Sequence, residues 1–161
     1  MNVLFLCTGN SARSILAEAL LNVLGNDRFR AFSAGSHPAG RVQPLAVELA
    51  TRLGYAAENL RSKSWDEYAG ADAPVMDLII TVCDAAGGEI CPVWPGQPIT
   101  AHWAVPDPAA VHGDDAQRRS AFTTAFALLR RRVELLIALP DSKLRGLQAA
   151  ASLRGIAEQT S

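Results

Sequence analysis

Residues 77–82 read Asp-Leu-Ile-Ile-Thr-Val, and this nearly unbroken apolar, β-branched run decides the fold class. Such a run is typical of a strand buried on both faces, as in a parallel sheet. Shorter apolar runs at residues 3–6, 29–33 and 99–103 predict three further strands. The sequence therefore predicts a four-stranded parallel sheet.

Helical periodicity fills the segments between these strands. Apolar residues recur at spacings of three and four over residues 13–24, 43–53 and 115–139. Residues 141–161 are predicted as one more surface helix or a tail. Strands that alternate with helices indicate an α/β fold. We therefore predict a single domain over residues 1–161, a three-layer sandwich with helices on both faces of the sheet.

The composition excludes several classes of function. The chain has 161 residues, of which 49% are hydrophobic and 19% charged, with a formal net charge of −1. This balance of charge predicts no nucleic-acid or anionic-membrane partner. No apolar run approaches the roughly 20 residues of a membrane span. Residues 1–6 are too short for the apolar region of a signal peptide, so we expect a cytoplasmic protein. We expect Arg130-Arg131-Arg132 to lie on a solvated helix face.

Reactive residues follow three of the predicted strands. Cys7 comes directly after the first strand, Cys83 after the third, and Asp107 after the fourth. In open α/β sheets, ligands bind beyond the carboxyl ends of the strands. We therefore expect these three side chains to meet at one edge of the sheet.

The segment Cys7-Thr8-Gly9-Asn10-Ser11-Ala12-Arg13-Ser14 has the pattern C-x5-R-S between a strand and a helix. A loop of this length at a helix N-terminus directs backbone N–H groups inward and makes a nest for a tetrahedral oxyanion. Arg13 adds a planar, bidentate donor for the same anion. The predicted oxyanion-binding residues are Thr8, Gly9, Asn10, Ser11, Ala12 and Arg13. The positive environment predicts a lowered pKa for the Cys7 thiol, with the Ser14 hydroxyl donating to the sulfur.

This loop resembles that of the low-molecular-weight protein tyrosine phosphatase superfamily, within which the arsenate reductases are more similar than the phosphatases. The likeness covers roughly residues 2–139. Besides the loop, it is carried by Ser33-Ala34-Gly35, Thr81-Val82-Cys83-Asp84, Cys91-Pro92, His102-Trp103 and Asp107-Pro108-Ala109. The phosphatases usually have a second cysteine where this chain has Ala12, and tyrosines where it has Ala109-Ala110.

The resemblance implies a flavodoxin-related fold and a relay of thiols. Cys7 would attack arsenate, and Cys83 would then attack Cys7, releasing arsenite and leaving a Cys7–Cys83 disulfide. Cys91 would next attack Cys83 and pass the disulfide outward. Reduction of arsenate to arsenite requires two electrons, which a pair of thiols can supply. Asp107 is implied as the general acid that protonates the departing oxygen.

The same resemblance implies an external reductant. Thioredoxin is favoured, and a glutaredoxin–glutathione route is the alternative. Phosphate and sulfate are expected to compete with arsenate for the loop. We expect no tightly bound cofactor and no catalytic metal, since a zinc site normally takes four ligands and the chain has only three cysteines. Two other functions stay open: a phosphatase acting on phosphotyrosine or an aryl phosphate, and a non-catalytic thiol switch that binds a partner protein.

Overall fold

The computed structural model describes residues 1–83, 94–146 and 148–160. Its centre is a parallel sheet of four strands in the spatial order β2-β1-β3-β4. The strands are β1 (Asn2–Cys7), β2 (Arg30–Gly35), β3 (Leu78–Thr81) and β4 (Ile99–His102). The predicted α/β fold with a four-stranded parallel sheet is confirmed. Strand β2 continues past its predicted end at residue 33, because Gly35 still pairs with Cys7 in register.

Five α-helices accompany the sheet in the described part of the chain: α1 (Arg13–Leu24), α2 (Pro44–Leu53), α3 (Asp115–Ala138), α4 (Asp141–Arg145) and α5 (Ala149–Gln159). Short 3-10 helices lie at Asn26–Arg28, Ala57–Asn59, Trp65–Tyr68 and Pro108–Ala110. No helix in these described ranges has the length and apolar character needed to cross a membrane.

Strand β1 is buried on both faces, which is why its sequence is continuously apolar. Successive side chains of a strand point to opposite faces, so Val3 and Phe5 join a large core together with residues of α1, α3 and α5. Leu4 and Leu6 join a second, smaller core on the other face. There the covering layer includes the 3-10 helix Trp65–Tyr68. The sheet is therefore the middle of three layers.

The C-terminal segment differs from the surface helix or tail that its sequence predicts. It forms two helices, and α5 buries Ala149, Leu153 and Ile156, the last two of them in the main core. These residues are spaced by three and four positions, so they share one helical face. The helix therefore belongs to the packed body of the protein.

The three consecutive arginines of α3 do not share one environment. Arg130 and Arg131 are exposed, as expected, but Arg132 is only 3% exposed. Neighbouring residues on an α-helix point about 100° apart, so a run of three reaches more than one face. The prediction of a wholly solvated face was wrong for Arg132.

Candidate active site

The C-x5-R-S loop joins β1 to α1 at the carboxyl edge of the sheet. Cys7 is the last residue of β1 and Arg13 the first of α1. Helix α1 has no side-chain N-cap at Ala12. Backbone donors in its first turn are therefore left for a ligand.

The carbonyl groups of the loop are held on its outer side. Three of them accept 2.9 Å hydrogen bonds from backbone N–H groups that follow β2: Thr8 from His37, Gly9 from Ala39, and Ser11 from Gln43. No peptide bond of the described residues is cis, and a trans peptide directs its N–H opposite to its C=O. Outward carbonyls therefore turn the next amide groups inward, which is the geometry of an oxyanion nest.

Gly35 permits the close packing of this loop against β2. A Cβ atom at position 35 would lie 2.5 Å from the Thr8 carbonyl oxygen and 3.0 Å from Asn10 Cβ. Any larger residue would push the loop away. Asn10 itself has a φ of 47°, a left-handed conformation that asparagine adopts more readily than most residues.

Asn10 links the loop to the protein interior. Its Oδ1 atom accepts a hydrogen bond from the Lys63 backbone N–H at 2.9 Å, and its Nδ2 donates to Ser14 Oγ at 2.8 Å. Because Ser14 Oγ is already an acceptor for Asn10, its own proton is available to the sulfur of Cys7, with which it hydrogen-bonds. A continuous chain of contacts thus runs from the buried interior to the thiol.

The Cys7 thiol differs from the prediction of a lowered pKa. Its pKa is raised well above the ordinary value, first because it hydrogen-bonds the Cys83 thiol and second because it is buried. Hydrogen bonds from Ser14 and from the Asn10 backbone N–H lower the pKa but do not outweigh those two causes. Two sulfurs in contact in a buried site do not both ionise readily. The sequence could not reveal this, because the second thiol is distant along the chain.

We expect the Cys83→Ala variant to lower the pKa of Cys7, because it removes the largest cause of the upward shift. The rate of Cys7 alkylation by iodoacetamide, followed by mass spectrometry from pH 5 to 10, should then rise at lower pH than in the native protein. The Ser14→Ala variant is the matched control, and its profile should move to higher pH. A Cys83→Ala profile that stays in place would contradict the thiol contact.

Cys83 lies just beyond β3 with its thiol against the loop. The Thr8 backbone N–H donates to Cys83 Sγ at 3.2 Å, and the Thr8 hydroxyl oxygen lies 3.6 Å from the same sulfur. Cys7 and Cys83 are both buried. The expected meeting of these two residues at the sheet edge therefore occurs. The third cysteine of the predicted site, Cys91, lies outside the described residues.

Arg13 and Asp107 form an ion pair at the mouth of the loop. Arg13 Nη2 lies 3.6 Å from Asp107 Oδ2, and Arg13 Nη1 donates to the Val105 carbonyl at 2.9 Å. The Asp107 side chain is 42% exposed and also accepts a 3.0 Å hydrogen bond from the Ala109 backbone N–H. The carboxylate is thereby oriented beside the guanidinium yet still open to a ligand, as the sequence predicts for a residue that follows β4.

A buried ion pair includes Lys63, the residue whose backbone N–H holds Asn10 of the loop. Lys63 Nζ lies 3.7 Å from Glu18 Oε1, and both side chains are buried. Glu18 accepts further hydrogen bonds from Ser33 Oγ at 2.8 Å and from the Tyr55 hydroxyl at 2.6 Å. Burial lowers the pKa of Lys63, and the negative charge of Glu18 partly offsets this. Sequence reasoning missed the pair, although Glu18 is the lone acidic residue among the buried residues of α1.

We expect the Lys63→Met variant to lower the free energy of unfolding by about 3–5 kcal/mol, because it leaves the buried Glu18 without its partner. Urea denaturation at pH 7 measures the change. The Arg61→Met variant is the control, since the Arg61–Glu67 pair is exposed and such pairs contribute less than about 1 kcal/mol. Equal losses in the two variants would show that the buried pair has no special role.

The described ranges hold no cluster of three or more His, Cys, Asp or Glu side chains that could bind a metal ion.

A strand-to-helix loop with inward amides, a buried cysteine and an arginine paired with an aspartate is the arrangement of the phosphatase-like α/β class. Residues 2–147 match the family described as low molecular weight phosphotyrosine protein phosphatase, and the chain belongs to this family.

Its relatives include arsenate reductases. The chain is 31% identical over 132 residues to the arsenate reductase of Halalkalibacterium halodurans, covering 82% of this chain and 91% of that protein. It is 30% identical over 136 residues to the glutaredoxin arsenate reductase of Synechocystis sp., covering 84% and 95%, respectively. A solved structure of an arsenate reductase in the phosphate-binding state is similar with a TM-score of 0.67 and 30% identity, covering 85% of this chain and 96% of that one.

Proposed function

We propose that this protein is an arsenate reductase that converts arsenate to arsenite through a relay of its cysteines. The observation that supports this best is the contact between the thiols of Cys7 and Cys83 at the oxyanion loop. Hydrolysis of a phosphoester requires one nucleophilic thiol, whereas reduction of arsenate requires a second thiol able to reach the first.

Arsenate binding is the first step of the proposed reaction. The inward N–H groups of Gly9, Asn10 and Ala12 and the Arg13 guanidinium bind the oxyanion, whereas the predicted donor Thr8 gives its N–H to Cys83 Sγ. Amide donors and the helix N-terminus favour a tetrahedral anion of this charge. Phosphate and sulfate have the same shape, so we expect them to compete.

Covalent attack is the second step. The Cys7 thiol loses its proton and forms a sulfur–arsenic bond, while one hydroxyl of arsenate accepts a proton from Asp107 and leaves as water. Asp107 is the general acid, and Arg13 stabilises the negative charge of the remaining oxygens. Arsenic is still in its pentavalent state in the Cys7 adduct.

Electron transfer is the third step. The Cys83 thiolate attacks Cys7 Sγ, a Cys7–Cys83 disulfide forms, and the sulfur–arsenic bond breaks with its electron pair going to arsenic. Arsenic is reduced by two electrons and leaves as arsenite, and the two thiols are oxidised by the same two electrons. The close approach of the two sulfurs in the free protein supports this step.

Regeneration completes the proposed cycle. The Cys91 thiolate attacks Cys83 Sγ, which frees Cys7 and leaves a Cys83–Cys91 disulfide for an external reductant. The role of Cys91 is proposed from the sequence alone. Thioredoxin is the favoured reductant, and a glutaredoxin with glutathione is the alternative, supported by the name of the Synechocystis relative. We propose no tightly bound cofactor and a cytoplasmic location, where free thiols persist.

Arsenite release by the purified full chain tests the proposal. One reaction contains arsenate, thioredoxin, thioredoxin reductase and NADPH, and the other contains arsenate, glutaredoxin, glutathione, glutathione reductase and NADPH. Arsenite is quantified by chromatography coupled to mass spectrometry, and phosphate in place of arsenate is the control. Turnover in either reaction supports the reductase and identifies its reductant. Absence of arsenite in both reactions, with rapid hydrolysis of an aryl phosphate, would instead indicate a phosphatase.

A further inference from the structure

Helix α5 lies outside the part of the chain that matches the family. The family match ends at residue 147, and α5 spans Ala149–Gln159. The helix nevertheless packs into the main core through Leu153 and Ile156, both buried. Residues beyond the family match therefore pack against elements that lie within it.

One of these contacts is made directly after β4. Trp103 is completely buried, and its indole Nε1–H donates a 2.9 Å hydrogen bond to the Leu153 carbonyl of α5. An indole N–H that is buried needs a partner. The start of the segment that leads to Asp107 is therefore held by α5.

Arg132 holds the next residue of the same segment. Its Nη1 donates to the Ala104 carbonyl at 2.9 Å, and its Nε donates to Thr160 Oγ1 at 2.8 Å. Arg132 makes no salt bridge among the described residues, and burial lowers its pKa. Burial of a charged guanidinium is unfavourable unless its N–H groups are hydrogen-bonded. Its hydrogen bonds to two neutral oxygens of different segments point to a role in fixing their positions.

The segment ends at the active site. Val105, which follows Ala104, accepts the 2.9 Å hydrogen bond from Arg13 Nη1, and Asp107 pairs with the same guanidinium at 3.6 Å. Three consecutive residues, Trp103, Ala104 and Val105, are thus bound to α5, to Arg132 and to Arg13. We propose that Arg132, together with helix α5, positions the segment 104–107 so that Asp107 meets the oxyanion in the correct geometry.

This inference rests on the proposed function, in which Asp107 is the general acid. Arg132 does not touch the reacting atoms, so it is a positioning residue. If it acts through Asp107, its removal has an effect only where Asp107 is present. A residue that served stability alone would lower activity equally with and without Asp107.

A double-mutant cycle in the full-length protein tests this dependence. Arg132→Met is expected to lower kcat for arsenite release by about 10-fold and to change KM by less than about threefold, since a misplaced catalytic group weakens the reaction more than binding. In the Asp107→Asn background the same change should alter kcat by less than about twofold. Arg131→Met, at the exposed neighbouring position, is the control and should retain native activity.

Thr160 offers a second, conservative pair of variants. Thr160→Ser keeps the hydroxyl acceptor for Arg132 Nε and should retain native kcat. Thr160→Val has nearly the same shape without the hydroxyl and should lower kcat in the direction of Arg132→Met. An equal kcat in the two variants would contradict the proposed connection through Thr160.

Hydrogen exchange separates this inference from the proposed function, because it needs no activity. The amides of residues 104–110 should exchange about 10-fold faster in Arg132→Met than in Arg131→Met, since local opening follows the loss of fixed contacts. Unchanged exchange in this segment, or an equal kcat loss in the Asp107→Asn background, overturns the positioning role. If the native protein makes no arsenite and exchange in this segment is still faster in Arg132→Met, the positioning role is supported and the reductase is rejected.

Discussion

The Cys7→Ser variant is expected to lose arsenite release by at least about 10³-fold, the range seen when a catalytic nucleophile is removed. A serine hydroxyl does not ionise near neutral pH and cannot form a disulfide with Cys83, so it can support neither the arsenic adduct nor the electron transfer. Arsenite measured under saturating arsenate and reductant gives the effect directly. The replacement is nearly isosteric, so the fold should be preserved.

Arsenate binding provides the control for this variant. The loop amides and Arg13 are still present in Cys7→Ser, so isothermal titration should give an affinity for arsenate within about 10-fold of the native protein. Loss of binding together with loss of turnover would indicate a collapsed loop. Measurable turnover with intact binding would exclude Cys7 as the nucleophile and with it the relay.

Replacing Cys83 by alanine is expected to abolish repeated turnover, with a loss of at least about 100-fold. Without the second thiol, no neighbouring group among the described residues can attack Cys7 Sγ in the arsenic adduct and release arsenite. The sharper measurement is a single turnover without external reductant, in which the native protein should release about one arsenite per chain and form the Cys7–Cys83 disulfide. Cys83→Ala should release almost none.

Cys91→Ser is the matched comparison for Cys83→Ala. In the proposed relay it retains Cys7 and Cys83, so its single turnover should release about one arsenite per chain while repeated turnover with thioredoxin fails. Peptide mapping of the oxidised proteins identifies the disulfide in each case. A full single turnover in Cys83→Ala would exclude the attack of Cys83 on Cys7. Unimpaired repeated turnover in Cys91→Ser would exclude the attack of Cys91 on Cys83.

The raised pKa of Cys7 bears on how this site works. The thiol holds its proton in the free protein because Cys83 hydrogen-bonds it and because both sulfurs are buried. Deprotonation in our proposal therefore accompanies the attack on arsenate. A protonated, buried thiol is also less reactive toward oxidants than a free thiolate.

Much of the fold can be predicted from the strand run at residues 77–82, and two site residues, Cys7 and Arg13, from the C-x5-R-S loop. Local sequence determines these features, since a continuous apolar run demands burial on both faces, and the spacing of Cys7 and Arg13 sets the size of the loop. The rule that ligands bind beyond the carboxyl ends of parallel strands then adds Cys83 and Asp107. All four residues are brought to one edge by topology that the strand pattern predicts.

Other properties of the site depend on contacts between residues distant along the chain, and only the tertiary structure determines them. The pKa of Cys7 depends on how closely Cys83 approaches it, and no spacing along the chain predicts that distance. Lys63 lies in a segment without periodicity, and it becomes important because its ammonium pairs with Glu18 and its backbone N–H holds Asn10.

The three arginines of α3 show most clearly why contacts between distant residues cannot be predicted from local sequence. Arg130, Arg131 and Arg132 are identical as sequence, but their environments depend on which face of the helix meets the sheet and α5. The sequence alone predicts that α3 is a helix and that the loop before α1 has the form of an anion-binding loop. The burial of Arg132 and its contact with the segment leading to Asp107 depend on the packing of α5 against β4, which only the tertiary structure shows.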